Sequence, residues 1–126
     1  MQAITYKEAL DIAQSVRNST YTEKVVGVFF TLKDCDVCGP WTTDVVIPIE
    51  KETSNDFIAY EVYVDENDIA FPPASIPTVY FFVPGTDKDK QINRVGPGPY
   101  EYAKRDVERM IKMKNEGISL YAAFYE

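Results

Sequence analysis

Histidine is absent from the 126 residues, and cysteine occurs only twice. The first absence excludes Cys/His zinc sites and Ser-His or Cys-His nucleophile pairs, because imidazole is the ligand or base in each. The second leaves half of a tetrahedral thiolate site at most, so a thiolate zinc would need a second copy of the chain. Cationic side chains are in deficit: 13 Lys+Arg stand against 20 Asp+Glu, a formal net charge of -7, and the pI is near 4.6. A field of that sign repels nucleic acid and anionic membranes, leaving small molecules and proteins as partners. No apolar run is long enough to span a bilayer, and the first eight residues, Met1 to Glu8, lack the basic start and apolar core of a secretory signal. That predicts a soluble, cytoplasmic protein. Internal repeats, low-complexity segments and a phosphate-binding glycine loop are missing as well. Asp65, Glu66 and Asp68 cluster, but without the glycine and oxygen spacing of a calcium loop they read as a solvated turn, and no metal site is expected.

What remains fits one α/β domain, with 45% hydrophobic and 13% aromatic residues available for a core. Thr5-Tyr6-Lys7-Glu8 has the form of a capping box, and Ala9, Leu10, Ala13 and Val16 follow at helical spacing until Asn18-Ser19-Thr20. Val25 to Phe30 is apolar on both side-chain parities, as a strand covered on both faces requires, and 57–64 makes a second such strand. A third runs over 76–83, closing at Pro84-Gly85, with 90–95 as its antiparallel partner across that turn. From Tyr100 the residues Ala103, Val107, Met110 and Ile111 keep helical spacing up to Gly117, which predicts a final helix. Beyond it, residues 117–126 form an aromatic extension. A strap over the domain's own core is favoured over a docking tail, because intramolecular burial is the commoner fate of such segments.

The two cysteines fall in Cys35-Asp36-Val37-Cys38, directly after the first apolar strand and before a helix. There the unpaired N–H groups of a helix start stabilise a thiolate, and a second thiol three residues on can close a ring with it. The same spacing also suits a structural disulfide, half of a shared zinc site, or two unrelated buried thiols; placement after a strand favours redox chemistry. The helix that follows carries Pro40, Pro48 and several β-branched residues, so a kink or stop is expected at Pro48. Trp41 is expected to pack near the dithiol, as core or as a substrate contact.

Strand, C-x-x-C, helix, strand, Ile-Pro-Thr, hairpin, Val-Gly and final helix together resemble the thioredoxin family over most of the chain. Three segments carry the resemblance: 29–38 around the cysteines, Ser75-Ile76-Pro77-Thr78, and Arg94-Val95-Gly96. It implies a thioredoxin-like central mixed β-sheet flanked by helices over residues 1–116, with 117–126 as a C-terminal extension on the same domain. It implies Cys35 as the attacking thiolate, Cys38 as the resolving thiol, Pro77 as a cis-proline beside them, and Ile76 and Gly96 as the substrate-binding backbone. The function implied is reduction of protein disulfides through a mixed disulfide, by a monomer with no bound cofactor beyond the redox-active Cys35–Cys38 disulfide. A separate reductase such as a thioredoxin reductase would recharge it. A redox-inactive protein-binding adaptor on the same fold and a glutathione-linked glutaredoxin-like protein are the alternatives.

Four departures from the family pattern bear on mechanism. Asp34 replaces the usual tryptophan before the nucleophile and Asp36 lies within the motif; their charge opposes thiolate formation, with Lys33 as a partial offset. Phe29 stands where many thioredoxins have a buried aspartate that moves the proton of the resolving thiol, so solvent, Lys33 or a nearby carboxylate must serve instead. The stretch from Asp65 to Pro77 is short and holds Phe71-Pro72-Pro73, so the helix usual there is expected to shrink to a turn. The extension is the fourth.

Overall fold

The computed structural model describes residues 1–18, 23–69, 72–73, 75–84, 92–95, 99–118 and 120–125. Its centre is a five-stranded sheet of β1 (Gln2–Ala3), β2 (Val25–Thr31), β3 (Phe57–Tyr63), β4 (Thr78–Phe82) and β5 (Ile92–Val95), in the order β1-β3-β2-β4-β5. β1 and β2 run parallel to β3, while β4 is antiparallel to β2 and β5. The sheet is therefore mixed. β2 holds the middle, and all seven of its residues are buried, which is why its sequence is apolar on both parities.

Alternation along the strands divides the core in two. On one face Val26, Val28 and Phe30 meet Ala9, Ala13 and Val16 of α1 (Tyr6–Arg17). On the other, Val25, Phe29, Phe57, Ala59 and Phe81 meet a second helical layer. That layer consists of α2 (Cys38–Trp41), a π-helical stretch (Thr42–Val46), α3 (Ile47–Glu52) and α4 (Tyr100–Glu116). Gly27 is needed for close approach: a Cβ there would sit 2.9 Å from Cζ of Phe57 and 3.0 Å from Cε2 of Phe29.

α1 opens with the predicted capping box. The Thr5 hydroxyl accepts the Glu8 N–H at 3.1 Å, and the Glu8 carboxylate accepts the Thr5 N–H at 3.0 Å. Thr5→Ala should lower unfolding free energy by about 1 kcal/mol with an unchanged denaturant slope, a loss readable in urea titrations. Leu10, expected on the buried stripe, is 53% exposed; α1 buries only the narrower line of Ala9, Ala13 and Val16.

Pro48 does not stop its helix. Lacking an N–H, it cannot bond to the Asp44 carbonyl four residues back, and its ring would collide with that group in regular α geometry. The preceding turn widens instead, with the Ile47 N–H reaching the Thr42 carbonyl five residues back, and α3 takes Pro48 into its first turn. Glu50 on α3 then accepts the Ala59 N–H of β3 at 3.0 Å, satisfying backbone that the two-residue β1 is too short to reach. β1 itself escaped the sequence reading, since two residues carry no periodicity.

Between β3 and β4 there is one 3₁₀ turn (Val64–Glu66) and no α-helix among the described residues, as the short proline-bearing stretch predicted. α4 ends at Gly117, whose φ of 63° is the left-handed conformation that glycine adopts at a helix end without a Cβ clash. Glu52 of α3 joins α4 through Lys104 at 2.7 Å and the Tyr100 hydroxyl, and these two partners hold its carboxyl below the usual carboxylate range. The chain continues into α5 (Leu120–Tyr125). There Ala123 is buried in the α4 core cluster, Ile118 and Phe124 pack against that cluster, and the Arg109 guanidinium lies 5.4 Å from the centre of the Phe124 ring. Among the described residues no helix is long and apolar enough to cross a membrane.

Candidate active site

β2 delivers the chain to the C-terminal end of the sheet, where residues 32–37 turn into α2. Cys35 and Cys38 are joined as a disulfide across this turn, with their Cα atoms 5.2 Å apart. Cys35 is partly exposed, whereas Cys38, on the first residue of α2, is 3% exposed. No side chain caps α2, so its first N–H groups need other acceptors. The Cys38 N–H points at Sγ of Cys35 at 3.1 Å, and the Gly39 N–H bonds to the Cys35 carbonyl at 3.3 Å. A donor aimed at the more accessible sulfur favours its anionic form.

The register pairs Phe30 of β2 with Thr78 of β4, so the loop leading into β4 lies at the same end of the sheet as the cysteine turn. The Ile76–Pro77 peptide bond in that loop is cis. Pro77 is fully buried, Ile76 is partly exposed, and the Thr78 hydroxyl donates to the Ser75 carbonyl at 2.5 Å, closing the loop. Thr78 also pairs with Val95 of β5. Gly96, the remaining candidate, lies outside the described residues.

The charges around Cys35 differ from the sequence expectation in one respect. Asp34 and Asp36 are exposed, but the Lys33 ammonium bonds to the Glu66 carboxylate at 2.9 Å and the Lys33 main-chain N–H donates to Asp65 at 3.2 Å. The hydrogen bond and charge of Glu66 push the Lys33 ammonium above the ordinary lysine range, so Lys33 serves the acidic 3₁₀ turn rather than the thiols. Part of the expected offset to Asp34 and Asp36 is thereby consumed. Asp65 and Glu66 act as partners of Lys33, and no metal-binding cluster is present among the described residues. Trp41 is 5% exposed and packs against Phe29 with ring centres 5.4 Å apart and the ring planes inclined at 60°; it belongs to the core.

One group was missed. Glu61 on β3 shares strand parity with Phe57 and Ala59, which places it on the sheet face covered by α2 and α3. It is 9% exposed and accepts the Thr31 hydroxyl at 2.9 Å. Tyr63 also bonds to it, and that bond, followed by burial, raises the Tyr63 phenol above its usual range. The available signal was a lone carboxylate within the apolar run 57–64. In the ladder it stands opposite Phe29.

No family model and no curated protein matches the sequence. Solved structures do match in shape. A chloroplastic thioredoxin z superposes with a TM-score of 0.72 at 16% identity, over 87% of this chain and 93% of that one. The thioredoxin of Fasciola hepatica gives 0.66 at 18%, over 87% and 99%, and a mutant thioredoxin from Halobacterium salinarum gives 0.65 at 23%, over 87% and 89%. At such identities likeness speaks for architecture, and the architecture agrees with the resemblance found in the sequence: this chain has the thioredoxin fold, with its C-x-x-C pair where the central strand passes into a helix.

Proposed function

We propose that this protein is a thiol–disulfide oxidoreductase that reduces protein disulfides with Cys35 as the attacking and Cys38 as the resolving thiol. The observation that carries the reading is the asymmetry of the pair: Cys35 is partly exposed and its sulfur receives an amide hydrogen bond, while Cys38 is buried. In the reduced protein the Cys35 thiolate attacks one substrate sulfur, the substrate S–S bond breaks, and a Cys35–substrate disulfide forms. Cys38, after losing its proton, attacks Sγ of Cys35, and the second substrate thiolate leaves and takes up a proton. Two electrons and two protons pass to the substrate, and the protein is left as the Cys35–Cys38 disulfide. A separate reductase of the thioredoxin reductase class returns the electrons, with no bound cofactor.

The backbone of the partly exposed Ile76, beside the buried Pro77, offers an extended substrate segment main-chain hydrogen bonds, and the family resemblance adds Gly96 to the substrate-binding residues. Asp34 and Asp36 beside Cys35, with Lys33 engaged by Glu66, favour disulfides flanked by basic residues. They oppose an anionic substrate such as glutathione disulfide, which places the glutaredoxin-like reading second. The acidic surface and the absence of long apolar segments support action as a monomer in the cytoplasm.

The test is insulin reduction, followed by turbidity, with the protein kept reduced by dithiothreitol or by a thioredoxin reductase with NADPH. Turnover above the reductant alone is the expected result. If the oxidised protein yields two thiols on reduction yet gives no turnover with any reductant, the fold serves as a binding adaptor and the enzymatic reading fails.

A further inference from the structure

Cys38 has to lose a proton before it can resolve a mixed disulfide, yet it is 3% exposed on the first residue of α2. Solvent base has little access to such a sulfur, and the chain holds no histidine to act in its place. A buried carboxylate lies at the same end of the molecule. Glu61 stands opposite Phe29 in the ladder, and Tyr63 stands opposite Thr31, the last residue of β2, so Glu61 sits toward the edge of the sheet from which the cysteine turn departs. Its parity with Phe57 and Ala59 puts it on the face that α2 covers. There the Phe29 ring, its neighbour in the ladder, packs on Trp41, three residues along α2 from Cys38.

Other carboxylates of the helical layer and the cysteine turn are engaged or exposed. Glu50 holds the Met1 ammonium at 3.2 Å and the Ala59 N–H, Glu52 holds Lys104, and Glu66 and Asp65 hold Lys33. Asp34 and Asp36 are exposed. Glu61 is different: among the described residues it meets the hydroxyls of Thr31, at 2.9 Å, and of Tyr63, and forms no ion pair. A neutral amide would satisfy two hydroxyl donors equally well; a carboxylate adds the capacity to take up a proton. Protonating it breaks no salt bridge, and an unpaired buried anion gains from being neutralised. Tyr63 is half-buried, which gives the carboxylate an outlet toward solvent. The phenol is also under the opposed charges of Glu66 and Lys33.

We propose, resting on the oxidoreductase reading above, that Glu61 accepts the Cys38 proton when the mixed disulfide is resolved. The S–H bond of Cys38 breaks and the proton passes to a carboxylate oxygen of Glu61. The electron pair left on sulfur forms the Cys38–Cys35 bond, the Cys35–substrate bond breaks, and its electron pair leaves on the substrate thiolate. Glu61 then gives its proton to solvent on the Tyr63 side, and the departed thiolate takes one up. Thr31 and Tyr63 are positioning residues, whose hydroxyls hold the carboxylate under the helical layer.

The reduced full-length protein is mixed with 2,2′-dipyridyl disulfide, a neutral probe, in a stopped-flow instrument. The first thiopyridone released reports attack by Cys35, and the second reports resolution by Cys38. Glu61→Gln should leave the first release unchanged and slow the second by about 100-fold at about pH 6. That deficit should narrow steadily as pH rises, because hydroxide then takes over from the missing base, whereas a merely structural defect lowers the rate by the same factor at every pH. Glu61→Asp, which keeps a carboxylate, should recover part of the lost rate. In the unaltered reduced protein, the carboxyl carbon of Glu61 and the β-carbon of Cys38 should share an inflection when titrated by NMR, a measurement that holds even if Glu61→Gln does not fold. An unchanged second release, a deficit independent of pH, or titrations with no common inflection would each overturn the role of Glu61 and leave the dithiol cycle standing. A single release in the unaltered protein, with no second, would sink the cycle itself and this role with it.

Discussion

Cys35→Ser is expected to lower insulin reduction by about three orders of magnitude or more, because a serine hydroxyl is not ionised near neutral pH and cannot form a disulfide. Cys38→Ser should fail differently. Its Cys35 remains partly exposed and can attack, but nothing resolves the product, so one substrate molecule stays covalently attached per chain and is visible as a mass adduct that dithiothreitol releases. This difference follows from burial: Cys38, at 3% exposure, cannot meet a protein disulfide without opening α2. Should Cys35→Ser be the variant that accumulates the adduct, the roles are reversed and the proposed cycle is wrong.

The largest effect on stability is expected at Phe57. This side chain is 2% exposed, packs against Phe81 with ring centres 6.2 Å apart, and covers Gly27 of the central strand. Phe57→Ala should cost about 3–5 kcal/mol, through lost transfer energy and an enlarged cavity, a large part of the roughly 5–15 kcal/mol that holds a domain folded. Equilibrium unfolding in urea measures it. A second variant checks the mechanism: Gly27→Ala should destabilise the unaltered protein because its new methyl collides with the ring. In the Phe57→Ala background that penalty should shrink, giving a coupling of about 0.5–3 kcal/mol. Strict additivity of the two would show that the ring is not what holds position 27 to glycine.

The features legible in the sequence were those written locally. The capping box needs only Thr5 and Glu8; the termination of α4 needs only a glycine free to take positive φ. The central strand shows itself through apolar residues on both parities, and the cysteine turn through its place at the end of that strand. The features that were not legible involve partners distant in the chain. Glu61 carries no local sign of its partner until the ladder beside Phe29 and the Thr31 hydroxyl bring it under the helical layer. Lys33 reads as a neighbour of the thiols until the 3₁₀ turn offers it Glu66. Leu10 satisfies helical spacing, but exposure depends on how far the sheet and its flanking loops extend beside α1.

Sequence alone determined α1, the central strands, the final long helix and the placement of the dithiol, because periodicity, caps and turn residues act over a few positions of the chain, and the thioredoxin-like architecture followed from the resemblance of three of its segments to that family. Tertiary structure decided that the turn before Pro48 widens, that Trp41 packs into the core against Phe29, and that a carboxylate enters the core from β3. Each of these depends on which surfaces meet after collapse, and packing between segments tens of residues apart leaves no periodic signature in the chain that forms it.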